Sequence, residues 1–250
     1  MKTLDASDHR ALRVYLTADD YGLHEGPAYE PKGALPEETW RSLTSLTDNA
    51  VLQTTDYYSN AVETLNDMAQ SWLDIHDGVP EKTPLRMQCL AVHDGFQGSL
   101  FNAIHAWYRI AGVTLRCAFE DMLIGMYYQD KPDRWPEFQE VITGKARSPQ
   151  RREVDAELLR HMPQDLLNRA NRLYQDELSV YVHRISEGEI WESNGPLFRH
   201  EALDLWIRQF DQAFRLLCEM IDCIVPGTKA SELAAKIRLR TTSELEVENK

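Results

Sequence analysis

The stretch Leu100–Tyr128, LFNAIHAWYRIAGVTLRCAFEDMLIGMYY, decides how this chain folds. Leu100, Phe101, Ile104, Trp107, Ile110, Val113, Leu115, Phe119, Met122, Ile124 and Met126 leave almost no polar face to meet water. A helix that is apolar nearly all round belongs at the centre of a bundle. Ala103, Ala106, Ala111, Gly112, Ala118 and Gly125 carry little or no side chain, so neighbouring helices can come close. The helical pattern runs from about Leu85 to Gln129, and Gly95 and Gly98 mark where it is expected to kink or break.

Upstream, Trp40, Leu43, Leu46, Val51, Tyr57, Tyr58, Val62, Leu65, Met68 and Trp72 recur at three and four residues, with small slips. That is a second long amphipathic helix, ending near His76-Asp77-Gly78. Pro36, Glu37 and Glu38 suit its first turn. Before it, residues 1–35 have weak periodicity and carry Gly22, Gly26, Pro27, Pro31 and Gly33, which reads as an irregular arm. Downstream comes a short helix around Trp135–Gly144, then helix from Glu153 to Val182 with a pause at Pro163. Ser186–Pro196 reads as a loop, and Leu197–Val225 is strongly periodic up to Pro226-Gly227. The expected architecture is all-α: an irregular arm over 1–35, a helical bundle with two long central helices over 36–225, and a short C-terminal helix with an acidic tail over 226–250.

Charge and composition narrow the function. Lys and Arg total 27 against 40 Asp and Glu, a net charge of −13. A polyanion needs a local basic patch to approach phosphates, so DNA is not an expected partner. The run Lys145, Arg147, Arg151 and Arg152 is such a patch and keeps RNA among the partners considered. Cys89, Cys117, Cys218 and Cys223 form no Cys-x-x-Cys pair and read as reduced, half-buried thiols. The acidic N-terminus lacks the apolar core of a leader, and Arg116, Glu120 and Asp121 interrupt the apolar stretches, so no membrane span is expected. The expected location is the cytoplasm. Neither a Walker loop nor GxGxxG nor Glu-x-x-His occurs, so no cofactor and no bound metal are expected.

Two segments could carry chemistry. Arg116 and Glu120 are four apart in the most apolar helix and face the same way. Charges there must be paired, because breaking a buried pair costs roughly 3–5 kcal/mol. They form either an internal salt bridge that sets helix register or a polar site at the bundle centre. In Leu173–His183, Ser179 and His183 share a face, flanked by Tyr174 and Tyr181. Two His-Asp-Gly units, at His76–Gly78 and His93–Gly95, could bind metal and activate water if joined by His105 and Asp121. Asp-Gly after a helical run is also ordinary turn chemistry.

Gly112–Glu120 with Tyr127-Tyr128, and Leu178–His183 followed by Trp191–Pro196, resemble a group of uncharacterised bacterial helical proteins. These are found beside phage-defence and mobile-element genes and look distantly like the HEPN superfamily of four-helix domains. The resemblance covers about residues 85–225. It implies metal-independent RNA cleavage by an Arg and a His on one helix, generally paired across a dimer. Arg86 and His93 are the match to that spacing, and no arginine stands so before His183. Arg172 precedes His183 by eleven residues, about 16 Å along a helix axis. On this reading His183 would be the base, with Arg116 or Arg172 steadying phosphate and Glu120 beside them. Ser179, Tyr181, Trp191, Arg151 and Arg152 would bind.

The departure from the catalytic spacing favours a HEPN-like bundle without catalysis. The expected function is a non-catalytic interaction or regulatory subunit of a bacterial defence system, with a protein partner or a second copy of itself. The rival expectations are a HEPN-like ribonuclease or RNA-binding effector, and a metal-dependent His-Asp phosphohydrolase.

Overall fold

The computed structural model describes residues 37–183 and 196–237, with side chains from residue 45 onward and none at His183. The expected arm, Trp191 and most of the acidic tail lie outside the described residues. The chain divides into two units, Met1–Ser42 and Leu43–Lys250. Of the first unit, Glu37–Ser42 is helical. All that follows concerns the second.

The described residues contain helices and no strand, so the all-α expectation holds. In chain order they are α1 (Glu37–Gly78), α2 (Pro84–Ile104), α3 (Tyr108–Tyr128), α4 (Trp135–Ile142), α5 (Arg151–Leu158) and α6 (Gln164–Arg172). A π-helical turn (Leu173–Leu178), α7 (Val180–His183), α8 (His200–Ile224) and α9 (Ala230–Lys236) complete the order.

The long central segment is two helices, not one. The chain runs straight through Gly95 and Gly98 and turns instead at His105–Trp107. Ala106 takes a left-handed φ of 61°. Its N–H donates to Ala103 O, and the Trp107 N–H reaches back to Asn102 O. This pair of bonds is the Schellman stop, which usually places glycine where Ala106 stands. An alanine in that conformation costs about 1–2 kcal/mol. The two glycines have another use, which is to let α2 and α3 pack closely. A Cβ on Gly95 would lie 2.6 Å from that of Ala118, and one on Gly98 would lie 3.5 Å from Thr114 Cγ2. Gly125 faces Gln88 in the same way. As the α2 number rises the α3 number falls, which is an antiparallel hairpin.

The core lies between this hairpin, α1 and α8. Trp72, Phe96, Phe210 and Phe214 form one aromatic cluster, with Trp72 edge-on to Phe96 at 5.2 Å and Phe96 4.9 Å from Phe210. Such pairs each add about 0.5–1.5 kcal/mol beyond burial. Both buried indoles are satisfied: Trp72 Nε1 donates to Cys89 O, and Trp206 Nε1 to Ser99 Oγ. Ser99 Oγ donates on to Ala111 O, tying α2, α3 and α8 together. On α1 the buried positions in the first half are Ala50, Thr54 and Tyr58, while Leu46 and Tyr57 are exposed. Thr54 Oγ1 donates to Ile104 O, an otherwise orphaned carbonyl at the end of α2. A non-helical Tyr58 (φ −134°) kinks α1 and accounts for the slips in its pattern. Of the cysteines, Cys89 and Cys218 are buried and Cys117 is exposed. Burial pushes the Cys89 thiol up to about 12, against the pull of Arg86.

Helix α9 is held to α8 at both ends. The Asp222 carboxylate accepts from Thr228 Oγ1, Ala230 N–H and Ser231 N–H. Arg215 donates to Ala234 O and Ile237 O at the other end. An anion at the N-terminus and a cation at the C-terminus both match the helix dipole.

Two predictions follow from this packing. A Cβ on Gly112 would fall 2.4 Å from the rigid Tyr181 ring, so Gly112→Ala lowers stability by about 1–3 kcal/mol. Gly98→Ala, with room at Thr114, raises it by up to about 1 kcal/mol. Urea melts of the two variants separate a close approach from helix propensity. Burial works against the Asp222 charge, but the bonds from Thr228, Ser231 and Ala230 hold its carboxyl below the usual value. Its contribution is therefore full above the unfolded value of about 3.9 and fades as pH falls through the lower folded one. Asp222→Asn costs about 1 kcal/mol at neutral pH and removes that part of the acid dependence, read from melts across pH.

Candidate functional site

Arg116 and Glu120 meet as their spacing demands, with Arg116 Nη1 3.6 Å from Glu120 Oε2. They do not meet alone. Tyr174, on the π-helical turn, sits between them: Arg116 Nη2 donates to its hydroxyl at 2.7 Å, and the hydroxyl donates to Glu120 Oε2 at 2.9 Å. The Arg116 guanidinium also lies 4.6 Å from the Tyr174 ring centroid. The Arg151 guanidinium lies 4.8 Å from the same centroid. Phe119 stacks on the ring as well, at 6.4 Å.

Arg151 extends the network onto α5 and α6. Its Nε lies 2.8 Å from Asp155 Oδ1 as an ion pair, although those two atoms make no hydrogen bond. Its Nη2 donates to Asn171 Oδ1, and Asn171 Nδ2 donates to Asp155 Oδ2. The π-helical turn places Tyr174 here. Ser179 Oγ closes on Tyr174 O at 2.8 Å across this widened turn. Turns of this type recur at functional sites.

The charges of the network cancel. Arg116 and Arg151 face Glu120 and Asp155, and Tyr174 and Asn171 supply neutral links. Burial and the bond to Glu120 push the Tyr174 hydroxyl up to about 12, so it stays protonated. Arg116 Nε is buried without a hydrogen-bond partner. The arrangement ties α3, α5, α6 and the π-helical turn together. It contains no group with the geometry of a base beside a nucleophile.

The remaining candidates are dispersed. Tyr181 is buried against Gly112, its hydroxyl donates to Gln209 Oε1, and its carbonyl accepts from Arg109 Nε. Ser179 is spent on the backbone, and Arg172 and Arg152 are exposed. The backbone of His183 ends α7, and its side chain lies outside the described residues. Arg86 anchors the loop after α1 by donating to Asp77 O and Val79 O. His76 pairs with its neighbour Asp77, and His93 with its neighbour Asp94. Among the described residues no three of His, Cys, Asp and Glu gather where they could hold a metal ion.

Sequence reasoning singled out Arg116, Glu120 and Arg151 but missed that Tyr174 bonds the first two and that Asp155 and Asn171 take the third. Tyr174 is 54 residues from Glu120, and only the fold brings the two together. Tyr174→Phe keeps the ring contacts and removes both hydroxyl bonds. It lowers stability by about 1–2 kcal/mol in urea melts, whereas Arg172→Ala, at an exposed position, leaves stability within about 0.5 kcal/mol. Comparison with family models, curated proteins and solved structures finds no match for this chain.

Proposed function

We propose that this protein is a non-catalytic helical subunit that works by binding another protein or a second copy of itself. The observation that carries this reading is the outer side of the α2–α3 hairpin. On α2, Met87, Leu90 and Phe101 fall on one helical stripe and are 42%, 47% and 60% exposed. On α3, Ile110 is 49% exposed, and Trp107 at the turn is exposed as well. Large apolar side chains grouped on one face mark an interaction surface, whereas scattered ones do not. Aromatic residues and Met are the types enriched at such surfaces.

The polar cluster supports the same reading from the other side. Its charges are used up within the protein, and a catalytic site needs a group left free to act. The resemblance to helical proteins of phage-defence loci makes a defence component the class of partner we infer. Among the described residues no helix is long and apolar enough to cross a membrane.

The test is oligomeric state. Light scattering on a sizing column is expected to give a mass above the 28.9 kDa of one chain, alone or with a co-expressed neighbour. The pair Phe101→Glu and Ile110→Lys is expected to return it to a monomer with an unchanged melting temperature, since both sites are exposed. A wild type that stays monomeric, with no complex in either case, removes the reading.

A further inference from the structure

Below that apolar stripe the hairpin and α4 enclose a cleft of about 320 Å³. Its walls are Met87 and Ala91 from α2, Ile124 from α3, and Val141 and Ile142 from α4. Three polar side chains line it: Gln88, Asp121 and Ser148. The size falls at the lower end of the range of small-molecule pockets, and polar and apolar atoms share the lining about equally.

None of the three has a hydrogen-bond partner among the described residues; Ser148 is exposed, whereas Gln88 and Asp121 are not. Gln88 is 5% exposed, yet among the described residues its amide makes no hydrogen bond. Its amide atoms are not fully buried, so water reaches them and a ligand donor can take the place of that water. Its position is fixed, because its Cβ and Cγ lie over Gly125, where a side chain would come within 2.9 Å. Asp121 is half-buried and makes neither a hydrogen bond nor an ion pair among the described residues. Every other carboxylate discussed above is paired, and the Arg116 guanidinium goes to Glu120 on the same helix. Burial, and after it the Glu120 charge, raises the Asp121 carboxyl from its ordinary value, and no cation among the described residues offsets this.

We propose that this cleft binds a small aliphatic ammonium ion, with its charged head on Asp121, a hydrogen bond to Gln88, and its alkyl arm along Met87, Ala91, Ile124 and Ile142. A cation supplies the charge that Asp121 lacks. An N–H donor meets the free amide oxygen of Gln88. The apolar walls favour an alkyl arm over a hydrated metal ion, and the net charge of −13 draws cations toward the protein. A carboxylate or phosphate ligand would meet Asp121 as a like charge.

The test titrates the full chain with n-hexylamine by calorimetry in about 0.15 M salt, where loose attraction to surface charge is screened. Saturable binding with a dissociation constant of about 1 mM or tighter is expected. Hexanoate, with the same arm and the opposite charge, is expected not to bind, and n-hexanol is expected to bind at least tenfold more weakly. Asp121→Asn is expected to weaken hexylamine at least tenfold. Ala91→Leu, which fills the cleft from its wall, is expected to abolish binding with no loss of melting temperature. Nα-acetyl-lysine amide distinguishes the source: binding as tight as hexylamine points to a peptide-borne lysine, and hexylamine binding alone points to a free amine. No saturable binding to the wild type overturns the proposal. So does an Asp121→Asn variant that binds hexylamine as the wild type does.

Discussion

The fold depends on how closely α2 and α3 approach each other. Gly95 against Ala118 leaves no room for a single added carbon, and Gly125 against Gln88 keeps the approach nearly as close further along the hairpin. That approach lets a residue as small as Ser99 reach across to Ala111 and still receive the Trp206 indole from α8. A wider hairpin would strand the Ser99 hydroxyl and open voids around Phe96, and cores lose stability for cavities of that kind. Met87, Leu90, Phe101 and Ile110 of the hairpin are left exposed, with α4 meeting Met87 across the cleft.

A second constraint governs the polar groups. Arg116 is mostly buried and needs a partner, which Glu120, its side chain 40% exposed, supplies from the same helix. One tyrosine serves both: it accepts from the arginine and donates to the carboxylate. The π-helical turn makes this possible, since a regular α-helix through Leu173–Leu178 would turn the ring to another face. Arg151 on the same ring brings α5 into contact, and Asp155 then cancels its charge. The cluster is a joint between helices. Each member is there because another would otherwise be buried unpaired.

Much of this was legible in the sequence and some was not, for physical reasons that particular residues show. The apolar run at Leu100–Tyr128 put this segment at the centre, and its small residues announced close packing. The i,i+4 spacing announced the Arg116–Glu120 pair. The break between α2 and α3 was misplaced because the usual stop signal is glycine. Here Gly95 and Gly98 lie inside a helix, and an alanine takes the left-handed position at residue 106. On α1 the reading holds for Tyr58, Leu65, Met68 and Trp72, which are buried, but before Tyr58 Ala50 and Thr54 are buried while Leu46 is exposed, as is Tyr57. Hydrophobicity ranks those residues the other way, but a tight helix contact selects for size. Tyr174 could not be linked to Glu120 from local spacing, since the partner lies across the fold. The cleft was not anticipated either, because Gln88 and Asp121 show their lack of partners only once the neighbouring helices are in place.

The contrast between those two polar sites bears on what the molecule does. In the Tyr174 cluster two cations meet two anions, and the neutral groups between them are bonded on both sides. A charged ligand entering that site must compete with ion pairs and hydroxyl bonds that the protein already makes. At the cleft the balance is reversed. The half-buried Asp121 carboxylate has given up part of its hydration and receives no bond from the described residues, and the Gln88 amide beside it keeps its bonding capacity for a ligand. A ligand that supplies a charge and a donor there recovers a cost already incurred in folding. What separates the two sites is net charge: in the Tyr174 cluster each cation faces an anion, whereas Asp121 beside α4 faces no cation among the described residues, so a cation is what the cleft has capacity to take.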